Sequence, residues 1–130
     1  MRKRFLDSGQ PGWQPLAKFR VALRGLSGAA VSDFSVLYKL LISLPIILLS
    51  LVYHPWLDSL LVILVTVVML IAELLNTAIE ALCDLVESRY DRQVRHIKDV
   101  AAAAAWIAIL VWVIVLVVAG KNLVHHFMAS

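Results

Sequence analysis

The sequence predicts an all-α integral membrane protein, with one amphipathic helix followed by three helices that cross the bilayer. Three observations carry this prediction. Apolar residues make up 62% of the chain and charged ones 16%, against about 45–50% and ~25% in globular domains. Three apolar runs each reach the ~20 residues needed to cross about 30 Å of hydrocarbon. Ahead of them lies a stretch in which apolar and basic residues recur at helical spacing. A chain of 130 residues composed in this way is one small membrane domain, since a soluble core of this size has no room for so many Leu, Val and Ile.

Residues 1–14 read as a flexible basic tail, broken by Gly9, Pro11 and Gly12. From 15 to 31, Leu16, Phe19, Leu23 and Leu26 form one face and Lys18, Arg20 and Arg24 another. That is the pattern of a helix lying in the membrane interface, and equally of an ordinary surface helix; the apolar context favours the interface. The spans follow at 36–53, with Pro45 inside, at 57–86, and at 99–119. The segment His54-Pro-Trp-Leu-Asp58 is a short turn with Pro55 as breaker and Trp56 as interface anchor. The alanines at 101–105 give the third span a smooth surface for close helix approach. Residues 121–130 form a second tail.

Orientation follows from Lys and Arg near the ends of the spans. Arg2, Lys3, Arg4, Lys18, Arg20 and Arg24 precede the first span, and Arg89, Arg92, Arg95 and Lys98 lie between the second and third. The turn at 54–58 has none, and only Lys121 follows the third span. The positive-inside rule therefore expects a cytoplasmic N-terminus and an external C-terminus. No cleavable signal peptide is expected, because the first 30 residues lack an apolar core and a small-residue cleavage site. The single cysteine, Cys83, excludes an internal disulfide. The net charge of +3 is modest, and no nucleic-acid partner is expected.

The second span ends in Glu73-Leu-Leu-Asn76-Thr-Ala-Ile-Glu80-Ala-Leu-Cys-Asp84. At about 100° per residue, with Glu73 at zero, Asn76 falls near 300°, Glu80 near 340°, Asp84 near 20° and Glu87 near 320°. The five share roughly one quarter of the circumference as a single stripe. Glu73 lies about 24 Å along the helix from Leu57, close to the edge of the hydrocarbon. Three readings compete. Solvated helix-end charges account for Asp84 and Glu87 but poorly for Glu73. Glu73 could pair with a basic residue of another helix. Or the stripe is functional, holding a divalent cation with phosphates and offering a base at headgroup depth. Beyond it, Lys98 is suited to meet a phosphate, and Asp99 to cap the third helix or to join the acidic cluster. No Walker motif, glycine-rich phosphate loop or kinase catalytic loop is present in the sequence.

The Glu-x-x-Asn-x-x-x-Glu-x-x-x-Asp pattern at the end of a second span, with Lys98-Asp99 fourteen residues later, resembles the prokaryotic diacylglycerol kinase family, which includes undecaprenol kinases. The hydropathy plan agrees over about residues 15–120. The resemblance implies a homotrimeric inner-membrane enzyme that transfers the γ-phosphate of ATP to a lipid hydroxyl, with Mg²⁺. Carried over by position, Glu73 would be the general base and Asn76 would sit beside the transferred phosphate. Glu80 would be a metal ligand, and Asp84, Lys98 and Asp99 would line the nucleotide site. The family usually places a second metal-binding Glu just before the first span; here Ser27-Gly-Ala-Ala-Val-Ser-Asp33-Phe34 has none, and Asp33 is the expected replacement. Arg89 and Asp91 also stand around Tyr90 where an acidic residue and a histidine are common in the family. Diacylglycerol is the default acceptor, with undecaprenol or another membrane alcohol as the alternative. A non-catalytic lipid-binding relative is the competing class. A channel would need a polar path that the outer halves of the spans do not offer.

Overall fold

The computed structural model describes residues 15–53, 55–87 and 89–130, and at residues 30 and 32 the backbone alone. The basic tail expected at 1–14 lies outside the described residues. The described chain is four α-helices, α1 (Pro15–Ser32), α2 (Phe34–Tyr53), α3 (Trp56–Val86) and α4 (Arg92–Met128). Among the described residues there is no strand. The last three helices are each long and apolar enough to cross a membrane.

Each helix begins for a local reason. Asp33 interrupts α1 and starts α2, its Oδ1 accepting the Ser35 N–H at 2.9 Å and its carbonyl accepting from Leu37, as an N-cap does. Pro55 has an extended backbone and precedes α3, where its ring cannot prolong α2. Asp91 caps α4, taking the Gln93 and Val94 N–H groups at 2.7 and 3.1 Å.

This last cap corrects an expectation. Asp99 does not cap the third span, because α4 begins seven residues earlier and Asp99 lies exposed inside it. Arg92, Gln93, Arg95, His96 and Lys98 extend the helix ahead of its apolar stretch. The stretch at 121–130 likewise remains helical as far as Met128.

α3 is the central element, packed most extensively on α4 and then on α2, while α1 touches α2 and, less, α3. The interior is thin. Val36, Val62, Met69, Ala101, Ala105 and Trp112 are its buried apolar residues, together with the free thiol of Cys83. Ala101, Ala105 and Trp112 share one face of α4, and the small alanines allow close approach. Where α4 meets α3, Trp112 Nε1 donates to Thr66 Oγ1 at 3.0 Å. α2 and α3 are tied by Ser59 Oγ donating to the Ser50 carbonyl at 2.7 Å. Less than a quarter of each span's most apolar stretch is buried within the chain. On α1, Leu16, Phe19 and Leu23 are exposed.

Candidate functional site

The acidic stripe of α3 divides into two sites. The inner one is a cavity of about 340 Å³ lined by Ser35, Tyr38 and Lys39 of α2, by Glu73, Asn76 and Glu80 of α3, and by Ala102, Ala105, Trp106 and Ile109 of α4. Helical spacing produces this arrangement. Glu73, Asn76 and Glu80 lie three and four residues apart and so share one face, as do Ser35 and Lys39. The alanines of α4 leave the room in front of them.

Glu73 is 5% exposed and Lys39 6%. Lys39 Nζ sits 2.6 Å from Glu73 Oε1 and donates to Ser35 Oγ at 2.8 Å. Ser35 Oγ in turn lies 3.5 Å from Glu73 Oε2, toward which it donates. Of the three readings open to Glu73, pairing with a basic residue of another helix is therefore realised. It leaves the functional reading standing, since the pair lines the cavity with two further polar groups. Asn76 Nδ2 donates to Glu80 Oε1 at 3.0 Å. That bond fixes which way the amide points, because a carboxylate can only accept. It leaves Asn76 Oδ1 buried without a hydrogen-bond partner. A buried, unsatisfied acceptor costs about 1–3 kcal/mol.

Asp33 stands apart from this cavity's lining. Besides capping α2, its Oδ2 accepts from Thr77 Oγ1 at 2.9 Å, so both oxygens are engaged and α2 is tied to α3 there. Among the described residues no three His, Cys, Asp or Glu side chains converge to hold a metal by themselves. The Glu80 carboxylate is nevertheless a hard oxygen donor on the cavity wall. Mg²⁺ typically needs only one or two carboxylates beside substrate phosphates and water. The residues therefore fit such an ion when it arrives with a nucleotide, and Glu80 is the carboxylate that would hold it.

The second site is a cavity of about 320 Å³ at the α3–α4 connection, lined by Asp84, Glu87, Arg89, Tyr90, Asp91, Val94, Arg95 and Lys98. Lys98 forms a hydrogen-bonded ion pair with Asp84. Lys98 precedes the membrane-spanning stretch of α4, and the Asp84 hydrogen bond is the main cause holding its ammonium above the usual lysine range, with desolvation opposing. The cation is thus fully charged at neutral pH. Asp99 does not line this cavity.

The structure brings Glu73, Asn76 and Glu80 together in one place and Asp84 with Lys98 in another. Thr77 and Lys39 have no site role in the sequence reading, and Arg89 and Arg95 count there toward orientation. The signal for Lys39 was present, since a lysine inside an apolar span requires a partner.

No curated protein and no solved structure matches this chain. The model of the family described as prokaryotic diacylglycerol kinase matches residues 20–119, a stretch that contains α2, α3, both cavities and the apolar part of α4. With most of its length covered by that match, the chain belongs to the prokaryotic diacylglycerol kinase family, a family of membrane lipid kinases.

Proposed function

We propose that the protein transfers the γ-phosphate of ATP to the hydroxyl of a membrane lipid, diacylglycerol being the acceptor, and that it does so as a homotrimer of the bacterial inner membrane. The observation that carries this reading is the buried carboxylate of Glu73, which shares with Asn76 and Glu80 a cavity walled by apolar α4 residues. A lipid hydroxyl brings a donor to such acceptors while its chains remain in hydrocarbon.

In the step, Glu73 takes the hydroxyl proton, and the freed oxygen forms a bond to the γ-phosphorus. The bond from that phosphorus to the β–γ bridging oxygen breaks, and its electron pair leaves with ADP. Lys39 and Ser35 hold the carboxylate in place before the transfer. Asn76 orients the reacting groups, and Glu80 holds the divalent cation. When bound, Mg²⁺ would offset the charge that builds on the phosphate oxygens. Asp33 can join the metal shell only through the lone pairs that its Ser35 and Thr77 bonds leave free. The nucleotide lies toward the Asp84–Lys98 cavity, where Lys98, Arg89 and Arg95 attract phosphate and Asp84 fixes Lys98, with Asp99 adjoining.

The orientation places the N-terminus and the α3–α4 connection in the cytoplasm, where ATP is found, and the C-terminus in the periplasm. The exposed apolar residues of α1 rest in the interface. The large apolar surface left on α2, α3 and α4 is shared between lipid and two further copies.

The test is purified protein with labelled ATP, Mg²⁺ and a total lipid extract. Label is expected in phosphatidic acid. Label in a polyprenyl phosphate instead would assign a different acceptor, and no labelled lipid would contradict the kinase reading.

A further inference from the structure

Lys39 is a departure from what a carboxylate-and-metal site alone requires. It sits in the span of α2, almost wholly buried, and lines the same cavity as Glu73, Asn76 and Glu80. That cavity holds two carboxylates and one cation, Lys39. An ammonium has three N–H donors. Among the described residues Glu73 Oε1 and Ser35 Oγ take two of them, and the ammonium also lies 5.5 Å from the centroid of the Tyr38 ring.

A phosphoryl group in transfer spreads negative charge over three oxygens, and it would enter a pocket already lined by Glu73 and Glu80. Placing further negative charge there is costly unless a fixed cation faces it. In a water-poor site a preorganised charge acts most strongly, because no reorganisation is needed at the moment of reaction.

We propose that Lys39 is the resident cation of the transfer site, contacting an oxygen of the phosphoryl group as it passes from ATP to the lipid hydroxyl. This rests on the lipid-kinase reading above and adds a residue to it. Bond making and breaking are as already written, with the proton on Glu73 and the electron pair on ADP; Lys39 stays protonated throughout. Its pairing with Glu73 holds the ammonium in position between turnovers. The competing role is structural, an ion pair that joins α2 to α3 and never meets substrate.

Binding of a planar phosphoryl mimic separates the two roles without needing turnover. The probes are ADP with aluminium fluoride and Mg²⁺, and a non-hydrolysable ATP analogue, titrated onto the full chain in detergent without acceptor lipid. Under those conditions Glu73 has no hydroxyl to hold. Single removal of Lys39 strands a buried carboxylate and risks unfolding, so the informative variant neutralises both partners, Lys39→Gln with Glu73→Gln. Lys39→Arg keeps the charge.

The doubly neutral variant is expected to bind the planar mimic ~10²–10³-fold more weakly than wild type, the range for loss of one transition-state donor. It should keep its affinity for the ATP analogue, and Lys39→Arg should retain most of the affinity for the mimic. Equal binding of the mimic by wild type and the doubly neutral variant, with the ATP analogue still bound, would overturn the role of Lys39 alone. Failure of wild type to bind either nucleotide would overturn the kinase reading and this inference with it.

Discussion

Toward the α2–α3 turn, the buried polar side chains are neutral and are spent mostly on backbone or on one another, with Ser50 Oγ left without a partner. Ser59 donates to the Ser50 carbonyl, Thr66 to the Val62 carbonyl at 2.7 Å, and Trp112 to Thr66. Toward the α3–α4 connection the polar groups carry charge and converge on open volume. Lys39, Glu73, Asn76 and Glu80 face one cavity, and Asp84 and Lys98 another. The first region shows what polar residues look like when they only hold helices together in lipid, where such bonds contribute about 0.6 kcal/mol on average. The second exceeds that need. A buried ion pair is weak evidence for stability, because desolvation offsets most of its attraction. Helix packing alone gives no reason to bury Lys39 and Glu73 beside one cavity.

The comparison can be broken most forcefully at Glu73. Glu73→Gln keeps size and shape but cannot take a proton, so turnover should fall ~10²–10⁴-fold, the usual range for loss of a general base. A near wild-type rate in the purified variant would move the reaction's base elsewhere. Glu80→Ala comes next. It should weaken Mg²⁺ and ATP binding together, since a carboxylate facing phosphate oxygens is useful only with a cation between them. Titration of Mg²⁺ against nucleotide binding reads this directly, and an unchanged requirement would remove Glu80 from the metal shell.

Asp33→Asn sharpens the boundary between the two kinds of polar group. Asn caps a helix about as well as Asp, so thermal stability should hold. A rise in the Mg²⁺ needed for activity would place Asp33 in the metal shell; no rise would leave it as the cap of α2 and the tie to Thr77. The smallest effect belongs to the neutral region. Trp112→Phe removes the bond to Thr66 and should cost about 1 kcal/mol or less, with kcat unchanged. A large loss of activity there would mean that the regions are coupled rather than distinct.

Much of this was legible in the residues. Apolar runs of sufficient length fixed the three spans, and the 100° rotation per residue placed Glu73, Asn76 and Glu80 together, as the cavity lining has them. The rotation could not say where the stripe would divide, because that depends on how α4 approaches. Ala102 and Ala105 open the inner cavity beside Glu73 and Glu80, while Asp84 faces the Arg92–Lys98 extension of α4. That extension was missed since a polar helix outside the bilayer carries no hydropathy signal, and Asp91 rather than Asp99 begins it. Partners across helices were also out of reach. Nothing in the spacing within α2 or within α3 says that Lys39 meets Glu73 or that Thr77 meets Asp33. The hydroxyl of Ser35, one turn before Lys39, reads in sequence as a weak neutral ligand and not as a partner of Lys39 and Glu73.

The most direct measurement of the central claim is transfer of labelled γ-phosphate to diacylglycerol in mixed micelles, run side by side for wild type, Glu73→Gln and Trp112→Phe. The account predicts labelled phosphatidic acid from wild type and Trp112→Phe at similar rates, and almost none from a folded Glu73→Gln. Equal rates from all three proteins would contradict the assignment of chemistry to the charged end of the bundle.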